Sequence, residues 1–239
     1  ELVSAVRRVH AKRTVAPAPA SPTSQLRQTD QSATRAPGGH IIPVFSPSGG
    51  VGCSTVAINV AAGLAQSGFN TLLIDGSLQF GDVAVMLNLK PESTIVDLID
   101  NDHKLDTFLL DTALQIHKPS NLHVLLSPPR PEMADVLRES HIKPMLAHLK
   151  TLYDFIIIDC SPSLGLITVN ALVAADSVVI PVQAEFFALE GLGKLLNTIK
   201  IVQSRLNPSL AIEGILMTMY DVRLRLCNQI VNEVRKHFE

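Results

Sequence analysis

The residues best placed to do chemistry stand together at Ser46-Pro47-Ser48-Gly49-Gly50-Val51-Gly52-Cys53-Ser54-Thr55. Glycines at 49, 50 and 52 let the backbone turn tightly, so that successive N–H groups converge on an anion. A helix that begins at once adds its own donors and its positive dipole end. The chemistry this serves is polyphosphate binding, with Ser48, Gly49, Gly50, Val51, Gly52, Cys53, Ser54 and Thr55 as the binding stretch. The Ser54 hydroxyl is offered to Mg²⁺, and Asp75 and Asp159, each closing an apolar run, would hold that ion directly or through water. For Asp159 the plainer alternative is a strand-terminal Asp capping a turn. Phosphate loops usually place a lysine before the Ser/Thr, as a point charge on the β- and γ-phosphates; this chain places Cys53 there. The loss is expected to cost several kcal/mol of transition-state stabilisation, while ground-state binding survives on backbone donors. Two readings of Cys53 stay open: a small filler, or a thiol acidified by the helix N-terminus and able to serve a redox role.

The loop needs a strand before it and a helix after it. Continuous apolar runs at Ile41–Phe45, Thr71–Asp75, Leu122–Leu126, Phe155–Asp159, Ser177–Pro181 and Ile212–Thr218 predict buried strands of a sheet covered on both faces. Helical patterns lie at Ser54–Ser67, Pro131–Leu137, Lys143–Thr151, Leu189–Arg205 and Cys227–Phe238. This alternation predicts an α/β fold: a doubly wound, mostly parallel sheet with helices on both faces. Residues 1–13 read as a short amphipathic helix, 14–40 as a Pro/Ala/Ser/Thr-rich flexible linker, and 41–239 as the domain.

Hydrophobic residues are 46% of the chain, enough for a sizeable core, and the net charge of −2 gives no bulk reason to expect nucleic-acid binding. Cys53, Cys160 and Cys227 are spaced for neither zinc nor a disulfide framework and read as reduced thiols. The eight histidines show no ligand spacing. No apolar run approaches the roughly 20 residues a bilayer requires, and a signal-peptide core is missing from the N-terminus. The expectation is a soluble, cytoplasmic protein with no transmembrane segment.

With these residues in view, the chain resembles the ParA/MinD family of P-loop ATPases, of the SIMIBI type. Ser48 to Thr55 is similar to that family's deviant Walker A box, Lys-Gly-Gly-x-Gly-Lys-Ser/Thr-Thr. Leu72-Leu73-Ile74-Asp75 resembles its second strand. Tyr153 to Asp159, followed by Cys160-Ser161-Pro162-Ser163, resembles its Walker B and switch region. Asn170-Ala171-Leu172, Ala175-Asp176, Pro181-Val182-Gln183 and Met217 to Asp221 continue the likeness. Leu78 to Ala84, Leu87-Asn88-Leu89, Asp97-Leu98 and Leu125 to Glu132 are similar to the CpaE/TadZ branch. Members of that branch often carry a receiver-like domain before a linker. The resemblance then makes residues 1–13 the closing helix of such a domain, and sets a final strand and helix beyond Glu239.

The resemblance implies ATP or ADP with Mg²⁺, a nucleotide-linked homodimer, and a role in localising Tad/Flp pilus assembly machinery, with recruitment to a cell pole. Three departures bear on turnover. The lysine that would reach across the dimer is Ser48, the second lysine is Cys53, and the family's Asp-x-Asp becomes Asp75-Gly76-Ser77. Hydrolysis needs charge neutralisation and a positioned water together, so weak or absent turnover is expected and no catalytic residue is assigned. Two alternatives stay open: an active partition-type ATPase segregating DNA or cargo, and a nucleotide-free scaffold. Arg205, Arg223, Arg225, Arg235 and Lys236 would suit DNA contact, though solvated helix faces are the favoured reading. Phe186, Phe187 and Leu189 resemble residues near the family's dimer surface, with core packing as the alternative.

Overall fold

A computed structural model describes residues 38–79, 81–99, 109–185 and 188–237. Among these, seven strands form one sheet: β1 His40–Val44, β2 Thr71–Asp75, β3 Leu114–His117, β4 Leu122–Leu125, β5 Phe155–Asp159, β6 Ser177–Gln183 and β7 Ala211–Thr218. Their order is β3-β4-β2-β5-β1-β6-β7, parallel throughout except for the β3–β4 pair. The helices are α1 Cys53–Gln66, α2 Val83–Met86, α3 Leu110–Ala113, α4 Glu139–Leu152, α5 Leu166–Ala174, α6 Ala188–Arg205 and α7 Arg225–His237.

The central strands are apolar on both sides because both faces are covered. Ile42, Leu73 and Ile157 join the cluster beneath α1, with Val56, Val60 and Leu64. Their neighbours Ile41, Leu72, Ile74 and Ile156 join the opposite cluster, with Ile142, Leu149, Leu172 and Leu195 of α4, α5 and α6. The two-residue strand period thus feeds two cores at once. The doubly wound, mostly parallel sheet expected from the sequence is the observed one.

Boundaries moved where tertiary contacts override local pattern. His40 already pairs with Phe155, so β1 starts a residue before the expected Ile41. The α4 helix begins at Glu139, four residues before the expected Lys143 although Pro144 lies inside it, because the Arg138 N–H donates to His141 Nδ1 (3.2 Å) and closes the first turn. Residues 131–136 form a 3₁₀ turn headed by Pro131 rather than an α-helix. Two elements had no local signal. β3 is a four-residue antiparallel edge strand, and α5 is apolar almost all round, which hides a helical period. The expected helix over 1–13 lies outside the described residues, as does the expected linker up to residue 37.

Candidate functional site

β1 leads straight into the phosphate loop. Gly50 and Gly52 take φ of 76° and 93°, the left-handed region in which a side chain is strained. Gly52 caps α1, its carbonyl accepting the Val56 N–H (2.9 Å), and no side chain caps the first turn. The first N–H groups of the helix are therefore left for an anion. The loop is pinned from below: Val51 is buried, and Thr218 Oγ1 at the end of β7 donates to its carbonyl (2.8 Å). Met219, the next residue, has φ 51° and is 60% exposed.

The parallel register sets Asp159 level with Val44 of β1 and Asp75 of β2, so three strand ends converge at the loop. Sequential connections leave β1 toward β2 on one side and β5 toward β6 on the other, the switch point at which open α/β sheets hold ligands. A cleft of about 950 Å³ opens there. Ser48, Gly50, Gly52, Cys53, Ser54 and Thr55 of the expected stretch line it; Gly49 and Val51 do not. Its other walls come from 76–79 with Asp82 and Met86, from Pro131, Ala134, Asp135 and Leu137, and from 159–163 with 165–168.

Asp159 is 2% exposed and burial pushes its pKa up to about 7; Asp75 and Asp82 add to the rise, and a hydrogen bond from Ser54 opposes it. A buried carboxylate bonded to a P-loop hydroxyl is a hard oxygen pair that fits Mg²⁺, an ion that keeps several waters and takes few protein ligands. Ser54 and Asp159 would hold it. Asp75 behaves differently from the expectation. It is fully buried, does not line the cleft, and its carboxylate accepts from Ser127 Oγ (2.9 Å) and from the Ser77 N–H (3.1 Å). The Gly81 backbone lies so close that a Cβ there would sit 2.4 Å from Asp75 Oδ2. Its pKa is pushed up to about 6, mainly by burial. The geometry makes Asp75 a support beneath the cleft.

The acidified-thiol reading of Cys53 is corrected. Burial and the neighbouring Asp159 carboxylate push its pKa up to about 12, so desolvation outweighs the helix N-terminus. The thiol packs against the apolar cluster under α1, as the filler reading has it. Ser77 lines the cleft where the resembling family carries a second Asp.

Sequence reasoning missed Asp82 and Asp135, which face the cleft from elements 53 residues apart. No local pattern marks either one. Of the basic cluster, Arg223 pairs with Asp221 (2.6 Å) and Lys236 with Glu233 (2.7 Å), while Arg205, Arg225 and Arg235 are exposed. Phe186 and Phe187 lie outside the described residues. Among the described residues no helix is long and apolar enough to cross a membrane.

The profile of an AAA domain matches residues 39–212. The chain is 43% identical over 210 residues to the chromosome partitioning protein ParA of Myxococcus xanthus, covering 84% of this chain and 72% of that protein. It is 41% identical over 204 residues to the sporulation initiation inhibitor protein Soj of Bacillus subtilis, covering 84% and 80%. Among solved structures it is similar to cobyrinic acid a,c-diamide synthase from Mycobacterium smegmatis with bound ADP and magnesium. There the TM-score is 0.71 at 30% identity, covering 84% of this chain and 83% of that one.

Proposed function

The chain belongs to the ParA/MinD family of P-loop ATPases, and from that premise we propose that it is a nucleotide-governed binding module with slow or absent hydrolysis. It binds ATP or ADP with Mg²⁺ through Ser48–Thr55, Ser54 and Asp159, and the nucleotide shifts its population toward a homodimer. The observation that carries this reading is the left-handed Gly52 opening an uncapped α1 directly over the Ser54–Asp159 pair. Magnesium and ADP in the Mycobacterium smegmatis structure support the same ligand class. Slow turnover follows from Ser48, Cys53 and Ser77 together, since these positions supply neither a cation nor a second carboxylate to neutralise charge or orient water.

Two cargo readings follow. The partition reading is favoured by the relatives named above, which are chromosome-partitioning and sporulation proteins. In it the exposed Arg205, Arg225 and Arg235 serve non-specific DNA contact. The pilus reading rests on the CpaE/TadZ-like residues 78–98 and 125–132, with residues 1–13 as the end of a receiver-like domain and 14–40 as its linker. Nothing in the named relatives adds to it.

The test of the module is direct. Mg²⁺-nucleotide affinity by calorimetry and dimer fraction by sedimentation are measured with and without ADP and ATP. Micromolar binding with a nucleotide-dependent rise in dimer is expected, and an unchanged protein at millimolar ATP leaves only a scaffold. Phosphate release stimulated by DNA and lost in Asp159→Ala would instead establish the working partition ATPase.

A further inference from the structure

The nucleotide reading of the cleft leaves a question of charge, and the inference here rests on that reading. Asp82, Asp135 and Asp159 line the cleft, and no Lys, Arg or His among the described residues does. Ser48 and Cys53 occupy the two positions at which the resembling loops carry cations. Arg130 and Arg138 bracket the 131–136 turn, yet neither lines the cleft. In the same wall Thr168 is 1% exposed, and its hydroxyl has no nitrogen or oxygen partner among the described residues. A polyphosphate entering this space meets only carboxylates and neutral groups, and a buried polar atom is left over.

The charge of the chain is divided unevenly along its length. Residues 1–37 hold six Lys and Arg against two Asp and Glu, a net of +4. Residues 38–239 hold fourteen against twenty, a net of −6. Four of the six N-terminal cations fall in one short run: Arg7, Arg8, Lys12 and Arg13. We propose that the segment Arg7–Arg13 seats at the acidic cleft of its own chain, pairs with Asp82 and Asp135, and lends the bound phosphates the positive charge that Ser48 and Cys53 lack. Guanidinium groups suit both partners, since their planar fork meets carboxylate and phosphate bidentately.

The tether allows it. Twenty-five positions separate Arg13 from Gly38, which stands before the opposite end of β1 from the cleft. That length spans about 80 Å fully extended and about 25–30 Å as a flexible coil. Climbing past a five-residue strand needs only about 17 Å plus the loops. A tether of matched length holds its cargo at a millimolar effective concentration, ample for pairs of ordinary strength. The contact is electrostatic and partly exposed, so it weakens with salt.

Two measurements on the full chain test it. The first is Mg²⁺-ADP affinity of a variant carrying Arg7→Ala, Arg8→Ala, Lys12→Ala and Arg13→Ala, beside a control carrying Arg27→Ala and Arg35→Ala. The fourfold variant is expected to bind at least about tenfold more weakly, with a flatter salt dependence, and the control to bind as wild type. Equal affinity in all three overturns the proposal. The second is zero-length carbodiimide cross-linking of nucleotide-free protein, read by peptide mass spectrometry. A Lys12–Asp82 or Lys12–Asp135 link within one chain is expected. Its absence, or its appearance only between isotopically distinct chains, overturns the intramolecular contact. If wild type ignores nucleotide and the cross-link forms, the docking stands and the nucleotide reading falls. The reverse pattern separates them the other way.

Discussion

Replacing Asp159 with Asn should stabilise the metal-free protein, and by an amount that grows with pH. Asp159 is 2% exposed at the end of β5, beside Asp75 in register and with Asp82 close enough to add to its charge. Burial holds its pKa at about 7 against the ordinary 3.8. Between those values the folded protein binds a proton that the unfolded chain does not, so stability falls as pH rises and levels off above pH 7. At about 1.4 kcal/mol per pH unit, the full penalty is about 4 kcal/mol. Asparagine keeps the shape and an acceptor for Ser54 but carries no charge. The gain of Asp159→Asn is therefore expected near zero at pH 4, about 1.5 kcal/mol at pH 5 and about 4 kcal/mol at pH 8. For a domain of this size that last figure is a rise of about 10 °C in Tm. Urea and thermal unfolding in EDTA at four pH values would measure it. Adding Mg²⁺ and ADP should narrow the gap, because the cation stabilises the wild-type carboxylate and finds none in the variant. A gain that does not vary with pH, or a loss at pH 8, refutes the buried-charge account.

Other outcomes follow from the same geometry. Cys53→Lys returns an ammonium to the loop beside Asp159 and should tighten Mg²⁺-ADP binding about 10- to 100-fold by calorimetry; unchanged affinity would mean the missing charge is immaterial. Because the Cys53 thiol sits at about 12, iodoacetamide at pH 8 should label it far more slowly than an unstructured cysteine, and rapid labelling in a peptide map would contradict this. Gly39→Ala places a Cβ 1.9 Å from the Tyr153 carbonyl oxygen, where Gly39 also donates its N–H to the Lys150 carbonyl (2.8 Å). A loss of about 3 kcal/mol in unfolding free energy is expected, and a neutral result would show that β1 can shift at its start.

Much of this protein is written locally. The glycines of residues 49–52 and the apolar runs at 71–75 and 155–159 announce a strand, a phosphate loop and a buried parallel sheet, because turn chemistry and side-chain period depend only on near neighbours. Ser48, Cys53 and Ser77 announce the loss of the usual charges for the same reason. What the tertiary structure decided is everything that depends on strand order and burial. The β3-β4-β2-β5-β1-β6-β7 order brings Asp82 and Asp135 to one cleft and draws Asp75 beneath it. Desolvation by the assembled core raises the Cys53 thiol that its helix position alone would lower. Solvent exclusion is a property of the whole packed chain, and no short stretch of sequence carries it.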